Sequence, residues 1–340
     1  MRGKKNIFAD IIFRWLGFVS LPVFSMMRPN LFYILAYHRV SPFNIGNYPF
    51  EAGTISAIPE EFEKQIRFVM KRFNVINFSI LSDILSSDKI LPKNSLIITF
   101  DDGYADNYEI AWKILKRYGL TATVFLSTSF IDKKEIFWFD KLTYIIKKIP
   151  NGRLVIDEGK HTFKIENGNR DQIRDSMMSL LLTVSNTDRI RLFQQLEQQS
   201  NIHILPEHFE LAKPLNWSQV LEMSEGGLEI GSHTVTHPFL ANLTIDEITC
   251  ELAESKRVLE EKLGKEIKSI AYPFGNYDHR VMSCAKHCGY QFGVSYEHNV
   301  RRFNESELLN MPRIRMEADV SYALFQANLL FPQLFVGIRS

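Results

Sequence analysis

Short runs of apolar and β-branched residues alternate with helical patterns along most of this chain, and this alternation limits its possible folds more than any other feature. Six runs predict β-strands: LFYILAYH, SLIITF, TATVFLS, LEIGSH, KSIAYPF and YQFGVSY. Between them, helical patterns lie near residues 59–72, 106–118, 244–263 and 279–288. Strands that alternate with helices favour a parallel sheet or barrel with the helices outside it. The pattern therefore predicts an α/β fold.

The best-defined helical pattern covers residues 244–263. Thr244 and Glu247 have the spacing of a capping box, which predicts that the helix begins there, and Gly264 predicts its end. Three apolar residues along one face would pack against the sheet: Ile248, Leu252 and Leu259.

The alternation breaks over residues 138–215. This stretch contains the helical pattern FWFDKLTYIIKKI, the hairpin pattern RLVIDEGKHTFKIENG and two polar helical patterns. We interpret it as a mostly helical insertion between two strand–helix units, and insertions that follow barrel strands usually shape the substrate site. Its first residues, Trp138, Phe139 and Asp140, could stack on a sugar ring or pack in the core.

The overall composition excludes several classes of protein. Among 340 residues, 40 are basic and 39 are acidic, so the chain lacks the basic surplus that is typical of nucleic-acid binding. A hydrophobic fraction of 45% excludes a disordered chain. Three cysteines, Cys250, Cys284 and Cys288, are too few and odd in number for a disulfide framework, which favours a reducing cytoplasm.

The first 30 residues have a basic start and an apolar middle, as a signal peptide does. Asp10 and Arg14 interrupt the apolar run and no small-residue cleavage site follows, so we expect the protein to stay in the cytoplasm. Residues 7–27 instead predict a basic amphipathic helix with two alternative roles: peripheral contact with the inner membrane face, or packing against the main domain. The apolar C-terminal run YALFQANLLFPQLFVGI could take either role.

Two adjacent aspartates, Asp101 and Asp102, follow the strand-like run SLIITF. Neighbouring carboxylates raise each other's pKa, and burying them without partners is costly. They are either two solvated acids in a loop or a functional pair, in which one carboxylate binds a metal and the other transfers a proton.

His233 ends the strand-like run LEIGSH, and His237 lies four residues later. On a turn of helix, two imidazoles at this spacing can point at one ion. Two imidazole nitrogens and one carboxylate oxygen leave coordination positions open, and they fit either catalytic Zn²⁺ or the Fe²⁺ of an oxygenase. The second aspartate favours a hydrolase, because a water bound to the metal must lose a proton when it attacks a carbonyl group.

The motifs TFDDG, HTVTH and AYPFG, in this order and at these separations, resemble those of the NodB-type polysaccharide deacetylases, carbohydrate esterase family 4. The resemblance covers roughly residues 30 to 130 and 215 to 315. It implies a distorted (β/α)7 barrel, here over residues 31–335, with the active site at the carboxyl ends of the strands. It also implies the removal of acetyl groups from N-acetylated sugars.

The resemblance further implies a role for the residues of these motifs. Asp101 is the expected general base, and the backbone N–H of Phe274 is expected to help hold the tetrahedral oxyanion, with Tyr272 beside it at the substrate. The expected metal ligands are Asp102, His233 and His237. Zn²⁺ is the expected ion, and Co²⁺ or Ni²⁺ could occupy the same ligands.

One departure from the family pattern concerns the charge around Asp101. Family members often carry an arginine in the third motif, where this chain has Ala271, so Asp101 needs another cationic partner. Our candidate is Arg313 in the strand-like run MPRIR, with Arg315 as an alternative. Arg313 could instead form a salt bridge at the surface.

A second departure concerns the general acid. Nothing after residue 300 resembles the family's C-terminal leucine–histidine motif, whereas the N-terminal run ILAYHRV does. Some relatives are circularly permuted in this way, and a barrel closes its first strand against its last. We therefore predict that His38 protonates the leaving amine, since an imidazole can donate a proton at neutral pH. A histidine satisfied in the core is the alternative.

Together these features predict a metal-dependent carbohydrate N-deacetylase. It would release acetate from N-acetylhexosamine units of a glycan or of a lipid- or nucleotide-linked glycan precursor. The alternatives are a deacylase or deformylase of a small nucleotide- or lipid-linked sugar, and a non-catalytic glycan-binding barrel. The paired acids disfavour the last of these, because a protein that only binds glycan has no need of such a pair.

Overall fold

The computed structural model describes residues 31–43, 45–87, 89–336 and 338–339. The N-terminal segment predicted over residues 1–30, with its amphipathic pattern at 7–27, lies outside the described residues. The described strands are β1 Leu31–Tyr37, β2 Arg39–Val40, β3 Ile55–Ala57, β4 Asn74–Ile76, β5 Ser95–Phe100, β6 Thr123–Leu126, β7 Gly152–Ile156, β8 His161–Ile165, β9 Glu229–Ser232, β10 Ser269–Ala271, β11 Phe292–His298, β12 Val300–Arg302, β13 Met311–Arg315 and β14 Ile338–Arg339.

The described α-helices follow the same chain order. They are α1 Pro59–Met70, α2 Phe78–Ser86, α3 Lys113–Arg117, α4 Thr128–Lys133, α5 Trp138–Lys148, α6 Arg170–Thr183, α7 Asn186–Ser200, α8 Pro206–Phe209, α9 Trp217–Glu225, α10 Ile245–Leu263, α11 His279–His287, α12 Tyr322–Leu330 and α13 Pro332–Phe335. A π-helix, Asn107–Trp112, runs directly into α3.

Seven of the strands close into a parallel barrel, in the order β1, β13, β11, β10, β9, β6 and β5. The barrel closes between β5 and β1, where Tyr33 pairs with Leu96 and Tyr37 pairs with Phe100. Each of the six strand-like runs contributes one barrel strand, and the run MPRIR contributes the seventh. The predicted (β/α)7 barrel is therefore confirmed.

The two faces of a barrel strand pack against different groups of residues. In β1, Tyr33 and Leu35 belong to the large apolar cluster between the barrel and its helices, whereas Phe32 and Ile34 pack in a cluster drawn mainly from other barrel strands. All seven residues of β1 and all six of β5 are buried. Strands covered on both faces need a continuous apolar run instead of alternating polar residues, which explains the runs in the sequence.

Helix α10 has the ends that its sequence predicts. The Thr244 hydroxyl accepts a hydrogen bond from the Glu247 N–H, the Glu247 carboxylate accepts one from the Thr244 N–H, and Gly264 caps the other end at a φ of 63°. The predicted apolar stripe is buried against the barrel: Ile248, Leu252 and Leu259.

Residues 138–215 contain helices α5 to α8 and the antiparallel hairpin β7–β8. Leu142 of α5 and Leu192 of α7 belong to an apolar cluster formed within this segment. The first turn of α5 is tied to the barrel by Asp140, which accepts hydrogen bonds from the Tyr104 hydroxyl at 2.6 Å and the Glu51 N–H at 2.9 Å. These bonds hold α5 beside the loop that follows β5.

The apolar C-terminal run forms α12 and α13. Phe325 of α12 is fully buried and packs edge-on against Phe68 of α1, with ring centroids 5.8 Å apart. Of the two roles predicted for this run, membrane contact and packing against the main domain, α12 therefore has the second. No helix within the described ranges combines the length and hydrophobicity that a bilayer span requires.

Candidate metal centre and active site

The predicted site residues come together at the carboxyl ends of the barrel strands, because parallel strands all end on the same side. His38 follows β1, Asp101 and Asp102 follow β5, and His233 follows β9. A cavity of about 290 Å³ opens there, and its lining includes His38, Asp101, Asp102, His233, His237, Tyr272 and Phe274. Arg313, the remaining predicted residue, is fully buried behind Asp101.

Three side chains in this cavity offer ligand atoms to a single point. The ligand atoms of Asp102, His233 and His237 all lie within 4.8 Å of one another, and all three residues are buried. Each histidine Nε2 is 3.4 Å from Asp102 Oδ1, yet that oxygen has no hydrogen-bond partner. A buried carboxylate oxygen facing two imidazoles without a hydrogen bond fits a divalent cation placed between them.

The two histidines are oriented by different contacts. His233 Nδ1 lies 2.7 Å from the Ala271 carbonyl oxygen, which fixes the ring so that Nε2 points to the centre. His237 lies among aromatic rings, with centroid distances of 5.2 Å to Phe139 and 4.7 Å to Phe274. Burial lowers the pKa of His237 to about 4, so its ring is neutral at pH 7, the form that binds a metal.

The loop that carries the histidines differs from the predicted turn of helix. His233 and His237 lie in irregular structure, because Thr234 and His237 have φ angles of 68° and 55°, which a right-handed helix does not contain. The Glu251 carboxylate holds this loop by accepting hydrogen bonds from the N–H groups of Val235 at 2.8 Å and Thr236 at 2.9 Å. Sequence reasoning missed Glu251, since a glutamate in an amphipathic helix carries no local signal of such a contact.

Asp101 is held by Arg313 in a bidentate pair. The guanidinium donates from Nη1 to Oδ1 and from Nη2 to Oδ2, both at 2.7 Å, and its Nε donates to the Ser295 carbonyl at 2.8 Å. Burial raises the pKa of Asp101, but the charge and hydrogen bonds of Arg313 lower it more, so its pKa lies below the ordinary value. The carboxylate is therefore kept ionised next to the three candidate ligands.

Arg315, the alternative partner, points elsewhere. Its guanidinium lies 5.2 Å from the centroid of the Tyr296 ring, and its Nε is 3.8 Å from Glu317. Alternation places Arg313 and Arg315 on the same face of β13, so their positions along the strand distinguish them: Arg315 is its last residue and is only partly buried. Only Arg313 is fully buried.

His38 also lies close to Asp101. Its Nε2 is 3.9 Å from Asp101 Oδ2, and its side chain is 16% exposed, facing the cavity. The ring packs edge-on against Tyr296 at a centroid distance of 5.4 Å. Its backbone is fixed on both sides, with the N–H donating to Ser56 Oγ at 2.9 Å and the carbonyl accepting from Asn107 at 2.8 Å.

The AYPFG turn forms another wall of the cavity. Phe274 has a φ of 55°, and Gly275, at a φ of 65°, packs so closely on β11 that a Cβ there would lie 2.8 Å from the Tyr296 Cβ. Only glycine fits this position without a clash. Tyr272 lines the cavity, but its hydroxyl donates to the Leu309 carbonyl at 2.9 Å, so this oxygen is engaged away from a substrate.

Several lining residues were not singled out by the sequence. Tyr296 could have been found, because it stands near the carboxyl end of a strand-like run, where barrel enzymes place site residues. Glu51 and Arg174 could not, since they lie far apart in the chain. They meet in the cavity lining, where Arg174 Nη1 is 3.3 Å from the Glu51 carboxylate.

Comparison with known proteins identifies the class to which this barrel and its site belong. Residues 88–293 match the family model described as polysaccharide deacetylase. Because this match covers more than half of the chain, the protein belongs to the polysaccharide deacetylase family, and it is a hydrolase of that kind.

Sequence identity to individual relatives is low. The chain is 24% identical over 303 residues to a Bacillus subtilis (strain 168) protein named as a polysaccharide deacetylase, covering 89% of this chain and 77% of that protein. It is 25% identical over 301 residues to the poly-β-1,6-N-acetyl-D-glucosamine N-deacetylase of Staphylococcus aureus (strain N315), covering 86% and 81%.

Solved structures share the fold. A Streptococcus pyogenes deacetylase in complex with acetate superposes with a TM-score of 0.60 at 20% identity, covering 90% of this chain and 100% of that one. The IcaB protein of Ammonifex degensii gives a TM-score of 0.57 at 17% identity, covering 90% and 98%.

Proposed function

We propose that this protein removes N-acetyl groups from N-acetylhexosamine units of a glycan by metal-dependent hydrolysis. The observation that carries the proposal is the different environment of two adjacent acids. Asp101 is paired with Arg313, whereas Asp102 faces His233 and His237 without a hydrogen bond to its Oδ1. The Asp101 carboxylate is thus available to accept a proton, and the Asp102 carboxylate is available to bind a metal.

The metal would be held by Asp102, His233 and His237. The donor set suits Zn²⁺ best among the common ions, and Co²⁺ or Ni²⁺ would fit the same ligands. A divalent ion bound there polarises a carbonyl group and lowers the pKa of water.

Asp101 would accept the proton of the attacking water. Its lowered pKa keeps the carboxylate ionised, and the bidentate pair with Arg313 fixes both oxygens while leaving each a lone pair for the water. The backbone N–H of Phe274 would donate a hydrogen bond to the oxyanion that forms at the acetamide carbonyl.

His38 would then protonate the leaving nitrogen. Its Nε2 lies in the cavity, 3.9 Å from Asp101. Asp101 and His38 are therefore close enough for the first to accept a proton and the second to donate one at the same substrate group. The bond between the carbonyl carbon and nitrogen breaks, which releases acetate and a free amine.

The polymer of N-acetylglucosamine is the substrate class that the relatives favour, since the Staphylococcus aureus protein is named for poly-β-1,6-N-acetyl-D-glucosamine. A lipid- or nucleotide-linked precursor of such a glycan would present the same acetamido group. The proposal that residues 7–27 bring the protein to a membrane rests on their amphipathic pattern alone.

The test combines metal content with acetate release from N-acetylglucosamine oligomers. Wild type should hold about one divalent ion per chain and release acetate, and His233→Ala should lose both. Asp101→Asn should keep the ion while its turnover falls about 10³-fold, because only the base is removed. A near-normal rate for Asp101→Asn, or no bound ion in wild type supplied with zinc, would refute the proposal.

A further inference from the structure

A second cavity lies next to the catalytic cavity, at the junction of α4, α5 and α7. Its volume is about 370 Å³, and Trp138 forms part of its wall. The next residue along the chain, Phe139, lines the catalytic cavity instead. The two cavities are therefore neighbours separated by the first turn of α5.

Arg189 of α7 is the unusual residue in this cavity. It is only 7% exposed, and its guanidinium donates hydrogen bonds to Asn186 Oδ1 at 2.8 and 3.2 Å. It also lies over the Trp138 ring, 5.1 Å from the centroid. Among the described residues, no carboxylate oxygen comes within 4.0 Å of it to form an ion pair.

A guanidinium buried without a counter-charge is costly, and buried charges are normally paired. Burial lowers the pKa of Arg189, and the more distant charge of Glu251 does not restore it. The cation–π contact with Trp138 offsets part of this cost. The remaining positive charge faces a cavity with room for a ligand.

Two lysines approach the same cavity from different helices. Lys133 ends α4 and is exposed, and Lys141 lies on α5 with its Nζ 3.7 Å from Glu197. Glu197 thus largely neutralises Lys141, and the remaining acid of the lining, Glu135, balances one further cation. The lining keeps an excess of one positive charge, which lies deepest at Arg189.

We propose that this second cavity binds a phosphate group, either as free phosphate or carried on a saccharide. Arginine presents a planar fork of donors that matches two phosphate oxygens, and lysine adds point charges to the others. Lys133, which approaches the cavity from a different helix than Arg189, would supply such a charge. The aromatic wall at Trp138 gives room for a sugar ring attached to the phosphate.

Calorimetric titration of the full chain at low ionic strength tests the proposal, because screening by salt weakens such contacts. The probes are inorganic phosphate, glucose 6-phosphate and glucose, none of which carries an acetamide. Wild type should bind both phosphates and not glucose. Tighter binding of glucose 6-phosphate would identify a phosphorylated saccharide as the ligand, and equal binding would identify free phosphate.

Arg189→Gln should bind inorganic phosphate at least about tenfold more weakly, since a charge-assisted hydrogen bond is lost. Lys133→Gln, at an exposed position that does not affect folding, should weaken it about threefold. Arg153→Gln, an exposed arginine on β7, is the matched control and should bind as wild type does.

His233→Ala separates this cavity from the metal centre and should bind phosphate as wild type does. Loss of phosphate binding in His233→Ala with retention in Arg189→Gln and Lys133→Gln would place the anion at the metal centre and overturn the proposal. Binding of glucose as tight as that of glucose 6-phosphate, or no binding of either phosphate, would overturn it as well. None of these outcomes depends on deacetylation.

Discussion

At the scale of single residues, the site depends on giving two adjacent carboxylates opposite environments. Asp101 has a fully buried cation on both of its oxygens, and Asp102 has two imidazoles. Burial raises the pKa of both acids, but these neighbours lower it more in each case, so both are ionised. Arg313 balances the charge of Asp101 directly, whereas a cation held by Asp102 and the two imidazoles would balance the charge of Asp102.

Replacing Arg313, the partner of Asp101, should therefore destabilise the protein. Arg313→Met should lower the free energy of unfolding by about 3–5 kcal/mol, because it leaves a buried carboxylate unpaired. Acetate release should fall as well, since an unpaired Asp101 regains a raised pKa. Urea denaturation and acetate assays measure the two effects.

The control for this change lies on the same strand. Arg315→Met removes a guanidinium that is about one third exposed and whose acid is 3.8 Å away, so stability should change by less than about 1 kcal/mol. Equal losses of unfolding free energy in the two variants would contradict a particular contribution of the Arg313–Asp101 pair to stability.

At the scale of elements, the site lies on loops held by helices. Asp102, Thr234, His237 and Phe274 all have positive φ angles although none is glycine, and strained backbone of this kind persists only where surrounding contacts enforce it. Glu251 of α10 provides such contacts for the histidine loop. Helix α5 likewise packs against His237, whose carbonyl accepts a hydrogen bond from the Trp138 indole at 3.3 Å.

Residues 138–215 join the barrel through α5, and we propose that they act as an insertion of the barrel and not as a separate domain. Phe139, Arg174 and Met178 of this segment line the catalytic cavity. Asp140 is the buried polar link to the loop after β5, through Tyr104. Its protonation should therefore affect the stability of the whole assembly.

Burial raises the pKa of Asp140 from 3.8 to about 7. A carboxyl group with a raised pKa in the folded state binds its proton more tightly there, so its contribution to stability is full below pH 3.8 and falls as pH rises towards 7. The free energy of unfolding of wild type should fall between these values by up to about 1.4 kcal/mol per pH unit relative to Asp140→Asn. Denaturant titrations across this range measure the difference.

Asp171→Asn, an exposed change on α6, should retain the pH dependence of wild type. If the free energies of unfolding of wild type and Asp140→Asn changed in parallel with pH, this would contradict the raised pKa of Asp140.

At the scale of the whole molecule, closure of the barrel assembles the site. The Arg313–Asp101 pair joins residues 212 positions apart in sequence, and it forms because β13 and β5 both lie next to β1. The candidate metal ligands follow β5 and β9, so an ion bound to them would link two strands of the closed barrel.

Metal removal should therefore lower the stability of the entire protein. A ligand that binds only the folded state adds about 2.7 kcal/mol at a concentration of about 100 times its dissociation constant. Protein treated with chelator should unfold at a lower temperature, and added Zn²⁺ should restore the original midpoint in scanning calorimetry.

Two variants test whether this shift comes from the proposed centre. His237→Ala should show no response to Zn²⁺, whereas His203→Ala, at an exposed position, should respond as wild type does. A zinc-induced shift that survives in His237→Ala would place the metal at another site.

The barrel strands, the best-defined helix and the chemistry of the motifs could be predicted from local sequence patterns. Six of the seven barrel strands lie in short, mainly apolar runs, and the ends of α10 follow from Thr244, Glu247 and Gly264, because strand burial and helix capping depend on residues near one another in the chain. The paired acids and two histidines were visible for the same reason, since each motif lies within a few residues.

Which distant residues meet could not be predicted from the sequence and is seen in the folded barrel. Arg313 rather than Arg315 pairs with Asp101, Tyr272 turns its hydroxyl away from the cavity, and the histidines sit in a strained loop instead of a helix. Each outcome depends on how strands close and how loops pack, which involves residues far apart in sequence. Local patterns do not contain this information, because the contacts form only when the barrel is complete.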